Sequence, residues 1–386
     1  MDDILKTRYL IKHRQSSEIW NFFLENQCLY YKVVNKNLPE EKLIENVLAY
    51  DICLDSKDVI HLVCITTKGK MYYFNYSNNT WNKMDFKKII NSFNKLDYIK
   101  IAETDGIIHV FYGFNNAINK NFYRIIYIYY DGLKWKYSNI DSNLPTKNSI
   151  PFFIDYDKKG DLYFAFKNVK SKKITFSIQV FSSWNKHWTN LSTINLNEEI
   201  KDVKSFLVDS NLNFHILYTY NNKAGLFHSF LSEESFFKFS SLIFMEENEK
   251  QKYKFFQIEN KLWIVWKFNG TIYYTYSDDF GVNWYREAFL LENDFYDINY
   301  IGQKYKNTDI LKKISTFGYV NMTDTTLLGI DNIEKFLSGN DLKAKSNLTE
   351  YFSEKEDTNK NVEKEVEKNQ KNKPFIEKII DFLINK

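Results

Sequence analysis

The chain has 386 residues, of which 18% are aromatic, against only 12 Gly and 4 Pro. Its 52 basic and 49 acidic residues leave a net charge of +3, so no overall electrostatic footprint points to nucleic acid. No window approaches the roughly 18 uninterrupted apolar residues of a membrane helix. The N-terminus, Met1-Asp2-Asp3-Ile4-Leu5-Lys6, lacks a basic stretch leading into an apolar core, and the expectation is a cytoplasmic protein without a signal peptide. Cysteine is scarce and odd in number. Cys28, Cys53 and Cys64 sit in strand-like runs without metal spacing and read as buried thiols in a reducing compartment.

Taken in chain order, the predicted elements repeat. A compact first unit has Glu18-Ile19-Trp20-Asn21-Phe22, then Cys28 to Val33. The second has Asp58-Val59-Ile60-His61-Leu62-Val63, then Gly69 to Tyr76, then Trp81. The third has Gly106 to Phe111, Phe122 to Tyr130 and Trp135, and the fourth Gly160 to Phe164, Ile174 to Phe181 and Trp188. A fifth has Asn213 to Leu217 and Leu226 to Phe230, with Phe236 where Trp stood. The sixth has Lys261 to Val265, Thr271 to Tyr276 and Trp284.

One column through these units reads Trp20, His61, His109, Tyr163, His215, Trp263, with successive members 41–54 residues apart. That is the size of a propeller blade, roughly 40–50 residues for four short strands. Each unit opens with an apolar run closed by a polar turn, such as Asp55-Ser56-Lys57-Asp58 or Asp157-Lys158-Lys159-Gly160. Asp, Asn and Gly there supply turn hydrogen bonds and positive φ between antiparallel strands. The expected fold is therefore all-β: a β-propeller of six or seven four-stranded antiparallel blades, seven favoured, over residues 1–332. Strand-like runs at Phe295–Ile301, Ile314–Val320 and Thr325–Ile330 form a seventh blade or latch a six-bladed ring.

Residues 333–373 are expected to be a charged linker, largely disordered or a frayed helix, because from Tyr351 to Lys373 only Val362 and Val366 are interior apolar residues, too few to build a core. Residues 374–386 read as a short amphipathic helix. Pro374 opens it, and Phe375, Ile376, Ile379, Ile380 and Leu383 recur at three- and four-residue spacing. Thirteen residues are too short for a stable isolated helix, so it needs a surface: a protein partner, a second copy, the propeller or, less favoured, a membrane.

The sixth unit contains Ser277-Asp278-Asp279-Phe280-Gly281-Val282-Asn283-Trp284. This stretch resembles the Asp-box, Ser-x-Asp-x-Gly-x-x-Trp, of the bacterial neuraminidase repeat in sialidase-like propellers. The resemblance implies a structural role for Ser277, Asp279, Gly281 and Trp284, at a turn between third and fourth strands. The runs ending in Trp81, Trp135 and Trp188 look like eroded copies.

The family's enzymes need three arginines converging on a carboxylate, a Tyr–Glu nucleophile pair and an acidic proton donor. Lys cannot replace the planar guanidinium fork, and this chain has only Arg8, Arg14, Arg124 and Arg286. No phosphate loop, nucleophile elbow or His-Glu-x-x-His is present. The expectation is no catalytic residue, no metal and no cofactor. The histidines of the repeat column share it with Tyr and Trp, so they are expected to be structural, their polar tips bonded between blades. His187 and His228 break the column and read as surface residues.

The leading functional reading is a non-catalytic interaction scaffold, its terminal helix recruiting a partner or self-associating. The alternative is a carbohydrate-binding propeller with Trp184, Trp188 or Trp266 as stacking aromatics. A glycoside hydrolase without familiar motifs is a third, distinguished by carboxylates lining the central channel.

Overall fold

The computed structural model describes residues 7–330, apart from short connecting segments of which 87–95 and 244–251 are the longest. The expected linker at 333–373 and helix at 374–386 lie outside the described residues.

The strands follow the repeats. The first unit is β1 (Thr7–Lys12), β2 (Ile19–Glu25), β3 (Cys28–Val34) and β4 (Glu41–Ile44). The second is β5 (Val47–Leu54), β6 (Ile60–Thr66), β7 (Met71–Ser77) and β8 (Thr80–Asp85). The third is β9 (Leu96–Thr104), β10 (Ile107–Asn115), β11 (Phe122–Tyr130) and β12 (Trp135–Pro145). The fourth is β13 (Phe152–Tyr156), β14 (Leu162–Lys170), β15 (Lys173–Phe181) and β16 (Trp188–Asn195). The fifth is β17 (Ile200–Val208), β18 (Phe214–Tyr220), β19 (Lys223–Ser229) and β20 (Phe237–Ile243). The sixth is β21 (Lys252–Ile258), β22 (Lys261–Phe268), β23 (Thr271–Ser277) and β24 (Tyr285–Phe289). Then come β25 (Tyr296–Lys304), β26 (Leu311–Val320) and β27 (Thr325–Leu327).

Units two to six each form a four-stranded antiparallel meander. The remaining sheet has the order β27-β26-β25-β1-β2-β3-β4, in which β1 and β25 run parallel with Leu10 opposite Tyr300. The last described strands thus pair with the first. Gly302 allows this join, because a Cβ there would stand 2.7 Å from that of Lys12. The first strands β1, β5, β9, β13, β17, β21 and β25 line one common cavity. This is a β-propeller arrangement.

The opening turns come in two lengths, and the side chain six residues before the repeat column matches each. In the five-residue turns Asp55, Asp157 and Asp209 sit first. Their Oδ1 atoms accept amides two and four residues on: Lys57 and Val59, Lys159 and Asp161, Asn211 and Asn213. The fourth turn position then takes positive φ, at Asp58, Gly160 and Leu212. Where the turn shrinks to Asp105-Gly106, both at positive φ, Glu103 stands in that column and accepts from Gly106 at 2.6 Å. In the sixth unit Gln257 reaches out of its own sheet to the Ser210 amide at 2.8 Å.

The second oxygen of each turn Asp reaches the repeat column. Asp55 Oδ2 lies 3.3 Å from His61 Nε2, Asp157 Oδ2 accepts from the Tyr163 phenol at 3.1 Å, and Asp209 Oδ2 lies 2.9 Å from His215 Nε2. His61 Nδ1 also meets the Tyr73 phenol at 2.7 Å, and His109 Nδ1 that of Tyr127 at 2.8 Å. All these partners belong to the histidine's own sheet. The expectation of bonds between blades is corrected: the column ties the opening turn to the second strand within one blade.

Aromatic rings pack within and between the sheets. Phe111 stacks on Phe164 with ring centroids 4.7 Å apart, and Trp188 meets Phe111, Tyr127 and Phe181. Trp20 packs against Tyr31 and Tyr76. Second strands are buried on both faces, since each sheet has a neighbour on either side; every residue of β6 is buried. Large rings fill such wedge-shaped gaps with much area each, which accounts for the aromatic-rich composition.

Candidate functional site

The central cavity has a volume of about 1230 Å³. Its wall is unusual for an interior, because charged side chains of both signs come from many of the first strands. Asp51 on β5 is fully buried; it accepts hydrogen bonds from the Tyr9 phenol and the Lys313 ammonium, and the Ile101 amide donates to it at 2.8 Å. Asp155 on β13 repeats the inter-sheet bond, accepting the Val208 amide at 2.8 Å. Asp202 pairs with Lys167 and Lys204, and Asp297 with Lys254 at 2.5 Å. These bonds satisfy groups that burial would otherwise make costly.

The pairs settle the carboxyls differently. Burial works to raise Asp51, but the ammoniums of Lys100 and Lys313 and its hydrogen bonds hold it below the ordinary range. For Asp155 burial outweighs the Lys312 charge, and its pKa lies above the usual value. Glu103, also on the wall, is raised by burial as well. Lys313 is pushed down to about 8 by burial, against the pull of Asp51.

The rim on the side of the opening turns carries Ser56, Asp105, Lys159, Ser183 and Trp184. Trp184 is 89% exposed. Its loop between β15 and β16 is nonetheless fixed. Asp161 Oδ1 accepts from both the amide and the hydroxyl of Ser183, at 2.8 and 2.9 Å. The Lys186 amide donates to the Ser182 carbonyl at 2.8 Å, and the Lys186 ammonium pairs with Asp105 of the neighbouring sheet at 3.0 Å.

Of the three candidate stacking aromatics, the structure leaves one available. Trp266 is only 7% exposed and stacks on Tyr273 in the core. Trp188 fills the seam between the third and fourth sheets. Trp266 is corrected to a core residue and Trp188 to a half-buried ring packed in the seam, because strands flanked by sheets on both sides leave little of either face free.

The Ser277–Trp284 turn joins β23 to β24. Asp279 Oδ1 accepts from the Ser277 hydroxyl and the Asn283 amide, Ser277 Oγ accepts the Gly281 amide at 2.7 Å, and the Trp284 indole donates to the Gly281 carbonyl. These bonds close the turn on itself.

The arginines whose side chains are described share no partner. Arg8 lies over the Tyr296 ring at 3.7 Å, Arg14 pairs with Asp58, and Arg124 is exposed. Carboxylates do line the channel, yet Asp105, Asp202 and Asp297 face cations and Asp155 and Glu103 hold backbone amides. Cys53 and Cys64 are buried, and Cys28 is half-buried. His187 is exposed, while the His228 side chain lies outside the described residues. Among the described residues, no group of three or more His, Cys, Asp or Glu could hold a metal ion, and no helix is long and apolar enough to cross a membrane.

The cavity-wall cluster was not foreseen in the sequence. Its members, at positions 51, 100 and 313, have no local spacing to betray them.

No family model matches the chain, and no curated protein does. Solved structures do. A mutant of the Aleuria aurantia lectin in complex with α-methyl-L-fucoside aligns at 10% identity and a TM-score of 0.46, covering 74% of this chain and 95% of that one. The polysaccharide lyase Uly1 aligns at 12% identity and TM-score 0.39, covering 70% and 74%. BBS1N in complex with ARL6DN aligns at 8% identity and TM-score 0.45, covering 80% and 86%.

Proposed function

We propose that the chain is a non-catalytic, seven-bladed binding propeller that takes a saccharide at the rim of its central cavity, with Trp184 as the stacking platform. The observation that carries this reading is an indole exposed at 89% on a loop pinned through Ser183 and Lys186. A free aromatic face held in place offers stacking area at little entropic cost. Polar neighbours on the rim, Ser56, Lys159 and Asp105, supply donors and acceptors for hydroxyl groups. The blade count follows from taking β25–β27 as the seventh blade. The Ser277–Trp284 turn fits a sialidase-like repeat kept for structure alone.

A glycan array probed with the wild-type protein and Trp184→Ala tests the proposal. Hits that vanish in the variant support it; an array without wild-type hits overturns it. Cleavage of any arrayed saccharide by the wild-type protein would overturn the non-catalytic part.

A further inference from the structure

One part of the cavity wall holds more positive charge than its neighbours neutralise. Asp51 is the only carboxylate described at ion-pair distance from either Lys100 or Lys313. Its oxygens are already taken: Oδ1 by the Tyr9 phenol and the Lys313 ammonium, Oδ2 by the Ile101 amide. Lys100 stands 3.7 Å from the same Oδ1, beyond hydrogen-bond reach. Lys313 spends a second proton on the Ile52 carbonyl at 3.2 Å. Two ammoniums therefore share one saturated carboxylate, and both side chains, about one-fifth exposed, line the cavity. Asp297, the next carboxylate along the wall, is occupied by Lys254 at 2.5 Å.

We propose that Lys100 and Lys313 form a binding site for a monovalent carboxylate, the acidic group of a sugar acid entering the cavity. The single surplus charge selects a monoanion over a dianion. Lys100, beside the Tyr98 ring, makes no hydrogen bond within 3.5 Å among the described residues, and charge-assisted bonds in a partly desolvated wall are the strong kind. The sugar part rests on the saccharide reading above, whereas the anion site stands on the cavity alone.

The test is titration of the full chain with glucuronate and with glucose at low salt, followed by calorimetry. Wild type should prefer glucuronate. Lys100→Met should weaken glucuronate by about tenfold to a hundredfold and leave glucose unchanged. It should still fold, since Asp51 keeps all three hydrogen-bond donors. Equal affinity for the two sugars in wild type overturns the proposal, as does an unchanged glucuronate affinity in Lys100→Met. Trp184→Ala separates the two readings. If it leaves both sugars unaffected while Lys100→Met weakens glucuronate, the anion site stands and the saccharide platform falls.

Discussion

His215 Nε2 lies 2.9 Å from Asp209 Oδ2, and neither side chain is exposed to solvent. Asp209 also accepts the Asn211 and Asn213 amides and the Asn213 side-chain amide. Truncating it strands several buried donors at once. Asp209→Ala should therefore cost roughly 3–5 kcal/mol in urea unfolding. Asp55→Ala, at a site 15% exposed with a longer 3.3 Å contact, should cost clearly less. Equal losses would show that burial does not grade the strength of this turn lock.

His109 occupies the same column without the same partner. Its Nδ1 meets Tyr127, but Nε2 is buried with nothing to bond, because the turn ahead carries Glu103 bonded to Gly106 in place of a capping Asp. Burial holds its pKa down to about 3, from 6.5. A base depressed in the folded state leaves stability intact above 6.5 and loses it as pH falls toward 3, by up to roughly 1.4 kcal/mol per pH unit. His109→Phe should flatten the pH 6 to 4 limb of the stability curve, measured by urea unfolding at several pH values. An unchanged limb would place the acid sensitivity elsewhere.

Two tryptophans separate binding from stability. Trp184→Ala removes an exposed ring and should shift unfolding by less than about 0.5 kcal/mol. Trp266→Ala empties a core position and should cost about 3–5 kcal/mol. Thermal melts of the two variants beside wild type decide this.

Local features of the fold were legible and assembled ones were not. The polar turns and the strand runs depend on residues a few positions apart, and the six-membered column is legible because those local runs recur in the same order every 41–54 residues. Strand alternation alone would leave one face of β22 exposed, whereas Leu262 to Trp266 are all buried, which removes Trp266 from the candidate stacking rings. His61 bonds within its own blade because Asp55, six residues upstream, caps the turn with one oxygen and reaches the histidine with the other, a double role that turn composition alone does not show. The Asp51–Lys100–Lys313 cluster depends on the pairing of β1 with β25, which brings β26 back to the second unit. No single-chain pattern records that closure.

The same cluster gives binding of a sugar acid a defined pH dependence. Lys313 is pushed down to about 8 by burial, with Asp51 opposing and Lys100 adding to the depression. Lys100 itself is raised, the Asp51 charge outweighing burial, and stays protonated. Tyr9 and Cys53, the other titratable groups facing Lys313, are pushed well above their ordinary values and stay neutral. Within this cluster, Lys313 is then the group that gives up its charge as pH rises through about 8. Glucuronate affinity should fall as pH rises through about 8, with glucose affinity flat across the same range. In Lys100→Met the repelling cation is gone, so Lys313 should hold its proton to higher pH. What affinity remains should decline later, its midpoint displaced upward. A midpoint that stays put, or moves down, would mean that the two ammoniums do not act on each other across Asp51.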